Sequence, residues 1–401
     1  MTKSILCGLL AVTTVITCAD AQKINFKANK AILQAINNDY KVADAQYKLM
    51  AKELEPGKYP KTYYPATGKF ETSQSGWWCS GFYPGTLFYL YQATKDTALL
   101  NEANRALDSL AKEQYNHSTH DLGFMMYCSF GNAQKIEPSA KYKQILINSA
   151  KSLASRFDPK VGCIKSWDSK KPEYLVIIDN MMNLELLFWA THVTGDSTFY
   201  KIAVTHANTT MKNHFRADYS SYHVVNYNPT TGAVQLKRTQ QGYANESAWA
   251  RGQAWGLYGY TVMYRETHDK KYLEQAEHIA HFILTNPTLP KDKIPYWDYN
   301  VPDIPNALRD ASAGAVMASA FLELCKYSAK NGREYFNTAE TIICNLSKPP
   351  YLATTGTNGG FILQHSVGSL PQHSEVDVPL TYADYYFIEA LNRYKNITHS
   401  K

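Results

Sequence analysis

Residues 87–103 read LFYLYQATKDTALLNEA: an aromatic-rich apolar run, a short polar turn at Lys95-Asp96, then a second run. Asp is a favoured helix N-cap, and an apolar residue three positions on (Leu99) and an alanine seven on (Ala103) fall on one helical face. The same pattern recurs in LLFWATHVTGDSTFYKIA (186–203) and YTVMYRETHDKKYLEQA (260–276). Aligned on Asp196 and Asp269, these copies carry Phe199 and Ala203, then Tyr272 and Ala276, at the same offsets. A fourth copy, LELCKYSAKNGREYFNTA (322–339), places Gly332 at the turn, with Tyr335 and Ala339 following. A capped turn followed by an alanine that admits a close neighbour is a helical hairpin, and recurrence marks a repeat architecture.

A helix over about 25–53, a looser pair within about 122–155 and a C-terminal helix over about 381–394 bring the count to about twelve helices, or six hairpins. Six hairpins either stack into an open solenoid or close into an (α/α)6 barrel. Closure is favoured by aromatic, polar loops of the kind that rim a pocket: SQSGWWCSGFYPG, CIKSWD, SSYHVVNYNP, KIPYWDYNVP and LQHSVGSLPQHSEVD. Thirty Tyr and seven Trp suit a carbohydrate site, although aromatic rings fill helical cores equally well. The expectation is an all-α chain, residues 22–401 forming one barrel domain behind a leader at 1–21.

The leader reads from the N-terminus. Lys3 precedes an apolar segment, Ile5 to Ile16, too short to span a bilayer, and Ala19-Asp20-Ala21 has the form of a cleavage site. Export, to a bacterial periplasm, is the expectation; Cys18 offers lipid attachment as the alternative. Five further cysteines (Cys79, Cys128, Cys163, Cys325, Cys344) are odd in number and irregular in spacing, which excludes a disulfide framework and suggests no zinc site. The net charge of +6 is spread without a basic run, which argues against nucleic acid as a partner. No phosphate-cradling glycine loop, HExxH or nucleophile elbow is present, so no cofactor or metal is expected.

Two acids stand at starts of apolar helices. Asp179 interrupts YLVIIDNMMNLELLFWA (174–190), and Asp121 follows His120 in HDLGFMMYCSFGN (120–132). Each could simply cap its helix. Two together, both where helix dipoles favour negative charge, also suit acid/base work on sugars. The run TQQGYANESAWARGQAW (239–255) adds Gln241, whose amide suits a sugar hydroxyl, and Arg251, four residues before Trp255 on one helical face. A guanidinium beside an indole fits a uronate, and the alternative for Arg251 is an ion pair with Glu246 or a nearby acid. His223 titrates near neutrality in an ordinary setting and could donate to a substrate hydroxyl, or be merely solvated.

HDLGF, the Asp-Asn-Met-Met-Asn stretch and WARGQAWGLYGY, in this order, resemble the hallmark segments of the unsaturated glucuronyl hydrolases, glycoside hydrolase family 88. The resemblance runs from about Trp77 to the terminal DYYFIEAL. It implies an (α/α)6 barrel that removes the non-reducing unsaturated uronic acid left on oligosaccharides by polysaccharide lyases. By motif, Asp179 matches the general acid/base and Asp121 the second carboxylate. His120, His223, Gln241, Arg251 and Trp255 match substrate-binding positions, with Trp77 (or Trp78) and Trp167 as stacking rings and Thr239 lining the same pocket. The implied chemistry is hydration of a vinyl ether: protonation at C4, water addition at C5, then opening of the hemiketal with loss of the remaining sugar. Family members that prefer sulfated chondroitin or hyaluronan fragments resemble each other in a late loop with serines and a lysine. Here Ser366 and Ser369 are present but Pro371 replaces the lysine, which puts that preference in question. The other readings are an unsaturated rhamnogalacturonyl hydrolase or a lyase on the same barrel, and a non-catalytic exported glycan-binding protein.

Overall fold

The computed structural model describes residues 25–169 and 171–399. The leader expectation, Cys18 included, lies outside the described residues.

Twelve α-helices are present among the described residues: α1 (Lys30–Glu53), α2 (Phe82–Thr94), α3 (Thr97–Leu110), α4 (Asn132–Ile136), α5 (Ala140–Ala154), α6 (Leu184–Thr194), α7 (Ser197–His214), α8 (Ala250–Thr267), α9 (Lys270–Thr285), α10 (Ala311–Leu324), α11 (Gly332–Leu346) and α12 (Thr381–His399). They form two concentric rings. Every residue of α10 and the first fourteen of α8 are buried, because an inner helix is covered on all sides. The outer α3 buries only Leu99, Ala103, Ala106, Leu107 and Leu110, one stripe at helical spacing.

The repeated turns behave as their sequence implies. Asp96, Asp196 and Asp269 each accept the backbone N–H two residues on and cap α3, α7 and α9. The residue before each of them, Lys95, Gly195 or His268, takes a left-handed conformation that ends the inner helix. Ala103, Ala203, Ala276 and Ala339 have no exposed surface, which lets outer helices approach the inner ring. The looser pair differs from regular helix: Gly123–Gly131 is π-helical and continues into α4 before α5 turns back. The sixth pair is not a hairpin at all. It joins the first and last helices of the described residues, outer α1 with inner α12, through Asn29 N–H to Tyr394 Oη (2.8 Å) and Tyr40 Oη to Asn392 Oδ1 (2.6 Å). Closure of the inner ring follows where α12 meets α2 (Tyr89 Oη to Glu389, 2.9 Å) and α10 (Ser319 Oγ to Glu389, 2.5 Å). The architecture is the expected (α/α)6 barrel.

Among the described residues, nine short strands occupy loops that sequence periodicity left unassigned. They are β1 (Tyr59–Tyr64) with β2 (Lys69–Ser73), β3 (Phe157–Asp158) with β4 (Cys163–Ile164), β5 (Tyr174–Ile177), β6 (Val224–Tyr227) and β7 (Val234–Arg238) in one antiparallel sheet, and β8 (Ser366–Ser369) with β9 (Ser374–Val378). Several of them stand around the mouth formed by the N-terminal ends of the inner helices.

Candidate active site

That mouth holds a cavity of about 500 Å³. Trp77 and Trp78 come from the turn before α2, Asp121 from the turn before the π-helical segment, Asp179 from the turn before α6, and Arg251 from the first turn of α8. Helix N-termini converging on one space give it a positive bias that suits anionic groups.

Close backbone approaches lock the three sequence motifs together. A side chain on Gly123 would meet the Asn183 backbone at 2.5 Å, and Asn183 Oδ1 accepts the Phe124 N–H at 2.9 Å. Gly259 likewise makes room for Met181. HDLGF, DNMMN and WARGQAWGLYGY therefore pack as one unit, which fixes Asp121 relative to Asp179.

Neither acid caps a helix with its side chain. Asp179 lies within a 3₁₀ turn, Ile178–Asn183, ahead of α6, and the N-cap position of α6 is held by Asn183, whose side chain makes no cap hydrogen bond. The β5–β6 ladder pairs Ile177 with Val224, which sets Asp179 beside His223. Asp179 is 7% exposed, and its Oδ2 has no hydrogen-bond partner among the described residues. Burial raises its pKa from the ordinary 3.8 to about 7; the Arg251 charge opposes that rise, and the Asp121 charge reinforces it. Asp121 is buried too, accepting the Thr119 hydroxyl at 2.7 Å on Oδ2, with His120 Nε2 3.3 Å from Oδ1.

His223 departs from its sequence expectation. Burial, then the Arg251 charge, pushes its pKa well below the usual range, so it does not titrate near neutrality. Nδ1 accepts two backbone N–H groups, from Gln240 and Gln241, both at 3.2 Å. The ring proton must then sit on Nε2, which points at Asp179 Oδ2 from 3.7 Å.

Arg251 also differs. Its guanidinium pairs with Asp310 at 3.1 Å, not with Glu246, which is held by Arg216 and Tyr222. It donates further to the carbonyls of Val367 (2.5 Å) and Gly368 (2.7 Å) on β8. The indole stacked near it is Trp249, at 4.5 Å, with Tyr382 at 5.2 Å. Gln241 Nε2 donates to Gly368 O as well, at 3.0 Å. Both side chains reach the cavity, yet each spends donors in seating β8.

Of the residues singled out by sequence, Trp77, His120, Asp121, Trp167, Asp179, Gln241 and Arg251 line the cavity. Trp78 lines it too. Trp77 is 41% exposed and carries Lys61 over its ring, whereas Trp78 packs into a wall with Phe82, Phe124 and Tyr382. Trp255 is fully buried behind the wall, and its indole N–H finds no hydrogen-bond partner among the described residues. His223, Thr239, Ser366 and Ser369 are outside the lining. Thr239 Oγ1 accepts Gly242 N–H to tighten a turn, and the two serines are buried in β8 with hydroxyls that find no partner among the described residues. Sequence reasoning missed Thr119, Arg238, Gln240 and Gln372, which line the cavity, and Asp310 and Trp249, which seat Arg251. Trp249 stood inside a quoted motif; Asp310 carried an N-cap signal before α10 that could have found it.

Comparison with known proteins gives the chain a family. Residues 52–286 match the model of Glycosyl Hydrolase Family 88. An unsaturated glucuronyl hydrolase of Formosa agariphila is 43% identical over 94% of both chains. An unsaturated chondroitin disaccharide hydrolase of Streptococcus pneumoniae is 32% identical, over 79% of this chain and 81% of its own. The crystal structure of an unsaturated glucuronyl hydrolase specific for heparin superposes with a TM-score of 0.89 at 49% identity, covering 92% of this chain and 98% of the other. This chain belongs to glycosyl hydrolase family 88 and is a glycoside hydrolase.

Proposed function

We propose that the chain is an unsaturated glucuronyl hydrolase that removes the terminal 4,5-unsaturated uronic acid from glycosaminoglycan oligosaccharides released by lyases. The observation that carries this is Asp179, a buried carboxyl at the cavity whose pKa of about 7 leaves a proton to give at neutral pH. Asp179 Oδ2 and His223 Nε2 are buried polar atoms without hydrogen-bond partners among the described residues, and they lie 3.7 Å apart, Asp179 in the cavity lining and His223 behind it. Unsatisfied buried polar groups at one spot favour a bound polar ligand.

Asp179 protonates C4 of the vinyl ether, and the double-bond electrons form the new C–H bond. Positive charge then spreads over C5 and the ring oxygen, next to the Asp121 carboxylate. Water adds at C5 and loses its proton to Asp179, restoring the acid. The hemiketal opens, the remaining sugar leaves from C1, and the product is an α-keto acid. One carboxyl thus serves as acid and then base, so the two Asp need not form a nucleophile/acid pair. The Nε2–H of His223 is placed to steady the Asp179 carboxylate once its proton has gone.

Heparin-type fragments are the substrates we assign first, because the similar crystal structure carries that specificity and Pro371 replaces the lysine expected for sulfated chondroitin. We further propose export to a bacterial periplasm, supported by Lys3, the apolar Ile5–Ile16 segment and Ala19-Asp20-Ala21. The test is incubation of the purified chain with lyase-generated heparin, chondroitin and pectin disaccharides while following ultraviolet absorbance of the double bond. Loss with glucuronyl substrates is expected. Loss with pectin fragments alone, or no loss at all, refutes the assignment.

A further inference from the structure

We propose that Thr119 is the positioning residue that aims the Asp121 carboxylate into the cavity. The proposal rests on the reaction assigned above and adds a residue to it. Thr119 lines the cavity two positions before the acid, and its hydroxyl works in both directions at once. Its oxygen accepts the Asp121 backbone N–H at 3.0 Å, while its hydrogen goes to Asp121 Oδ2 at 2.7 Å. A hydroxyl has one hydrogen, so accepting the backbone N–H leaves that hydrogen for the carboxylate. The two bonds close a small ring that fixes the Asp121 side chain against its own backbone.

Among the described residues, nothing else grips this carboxylate as firmly. Oδ1 faces His120 Nε2 at 3.3 Å, and burial keeps that imidazole neutral by lowering its pKa. The segment carrying Thr119 is itself braced. Asn116 Oδ1 accepts both the N–H (2.9 Å) and the hydroxyl (2.7 Å) of Ser118, His117 Nδ1 meets Ser155 Oγ at 2.9 Å, and the Arg156 guanidinium holds the His117 carbonyl. Thr119 transmits that rigidity to the acid. The consequence reaches the proton donor, because the Asp121 charge is one of the groups that raise the Asp179 pKa. A carboxylate free to swing away would repel the ionised Asp179 less, and Asp179 would give up its proton at lower pH.

The experiment compares wild type with Thr119→Val and Thr119→Ser, using whichever unsaturated disaccharide the wild type turns over, across about pH 5 to 9. Valine keeps the shape and removes both hydrogen bonds, whereas serine keeps both. Thr119→Val is expected to lose about tenfold or more in kcat with a smaller change in KM, as befits a lost bond to a charged group. Its alkaline limb should move to lower pH, and Thr119→Ser should keep both the rate and the limb of the wild type. Unchanged rate in Thr119→Val overturns the proposal. So does a lower rate with the limb unmoved, which is what a merely structural role would give. Equal damage in Thr119→Ser would also overturn it, by placing the effect in the methyl group. If Thr119→Val does not fold, Thr119→Ala carries the same comparison. A wild type inactive on every unsaturated substrate would instead refute the proposed reaction, which keeps the two failures apart.

Discussion

Replacing Asp179 by Asn keeps the shape of the side chain and removes its ionisation, so the variant isolates what a buried acid does to folding. In the unfolded chain the acid titrates near 3.8, and in the folded protein near 7. The folded state therefore holds the proton more tightly, and wild-type stability falls as pH climbs from 3.8 through about 7. At about 1.36 kcal/mol per unit, ionisation of the unfolded chain has already removed about 1.6 kcal/mol at pH 5 and about 4.4 kcal/mol by pH 8. The amide of the variant does not titrate and makes no such contribution. The stability gap between variant and wild type should thus widen by about 3 kcal/mol, in favour of the variant, between pH 5 and pH 8. Asp39 and Asp384 also have pKa values raised to about 7 by burial, but both proteins carry them and their effects cancel. Equilibrium urea unfolding at the two pH values measures the gap, and turnover should fall at least about a hundredfold in the same variant. A gap that stays constant from about pH 5 to pH 8 would refute the claim that Asp179 is a protonated acid in the folded protein.

The rate itself should report the same group: with Asp179 as proton donor, kcat falls about tenfold for each pH unit above about 7. A profile flat from about pH 6 to pH 9 in initial-rate measurements would exclude that role. Nitrogen chemical shifts of His223 should show an unprotonated Nδ1 and no titration between about pH 5 and pH 8. A midpoint near about 6.5 would mean that the two backbone donors do not fix the tautomer. Asp310→Asn leaves the buried Arg251 without its counter-charge and should cost about 3–5 kcal/mol in thermal or urea unfolding. A loss below about 1 kcal/mol would show that the carbonyls of β8 seat the guanidinium unaided.

Much of the scaffold was legible because its signals are local. An aspartate cap, an apolar residue three on and an alanine seven on all depend on a single helix and the one beside it. Asp96, Asp196 and Asp269 consequently behave as read. The pairing of α12 with α1 was not legible, since nothing near Asn29 announces a partner near Tyr394. The strands were hidden for a related reason: two to six residues give too little alternation to register, and β6 sat inside a loop that looked like an aromatic rim. Within the site, the acids were visible as charges in apolar runs, but their surroundings were not. Sequence spacing put Trp255 beside Arg251, and the fold put Trp249 there, because Arg251 turns toward Asp310 and β8. His223 looked titratable for want of any sign that two backbone N–H groups would meet its Nδ1.

The joining of α1 to α12 has a consequence for the order of events in synthesis. A ribosome delivers the outer partner first and the inner one last, with nearly the whole chain made in between. Until Tyr382 and the helix behind it emerge, Arg251 lacks one of its two aromatic faces and the ring has a gap where its last inner helix belongs. Hairpins such as α2–α3 can form as they appear, whereas the cavity must wait for the final segment. A circularly permuted chain that runs from α12 directly into α1 and opens in the turn at Gly195 would turn that late closure into an ordinary hairpin.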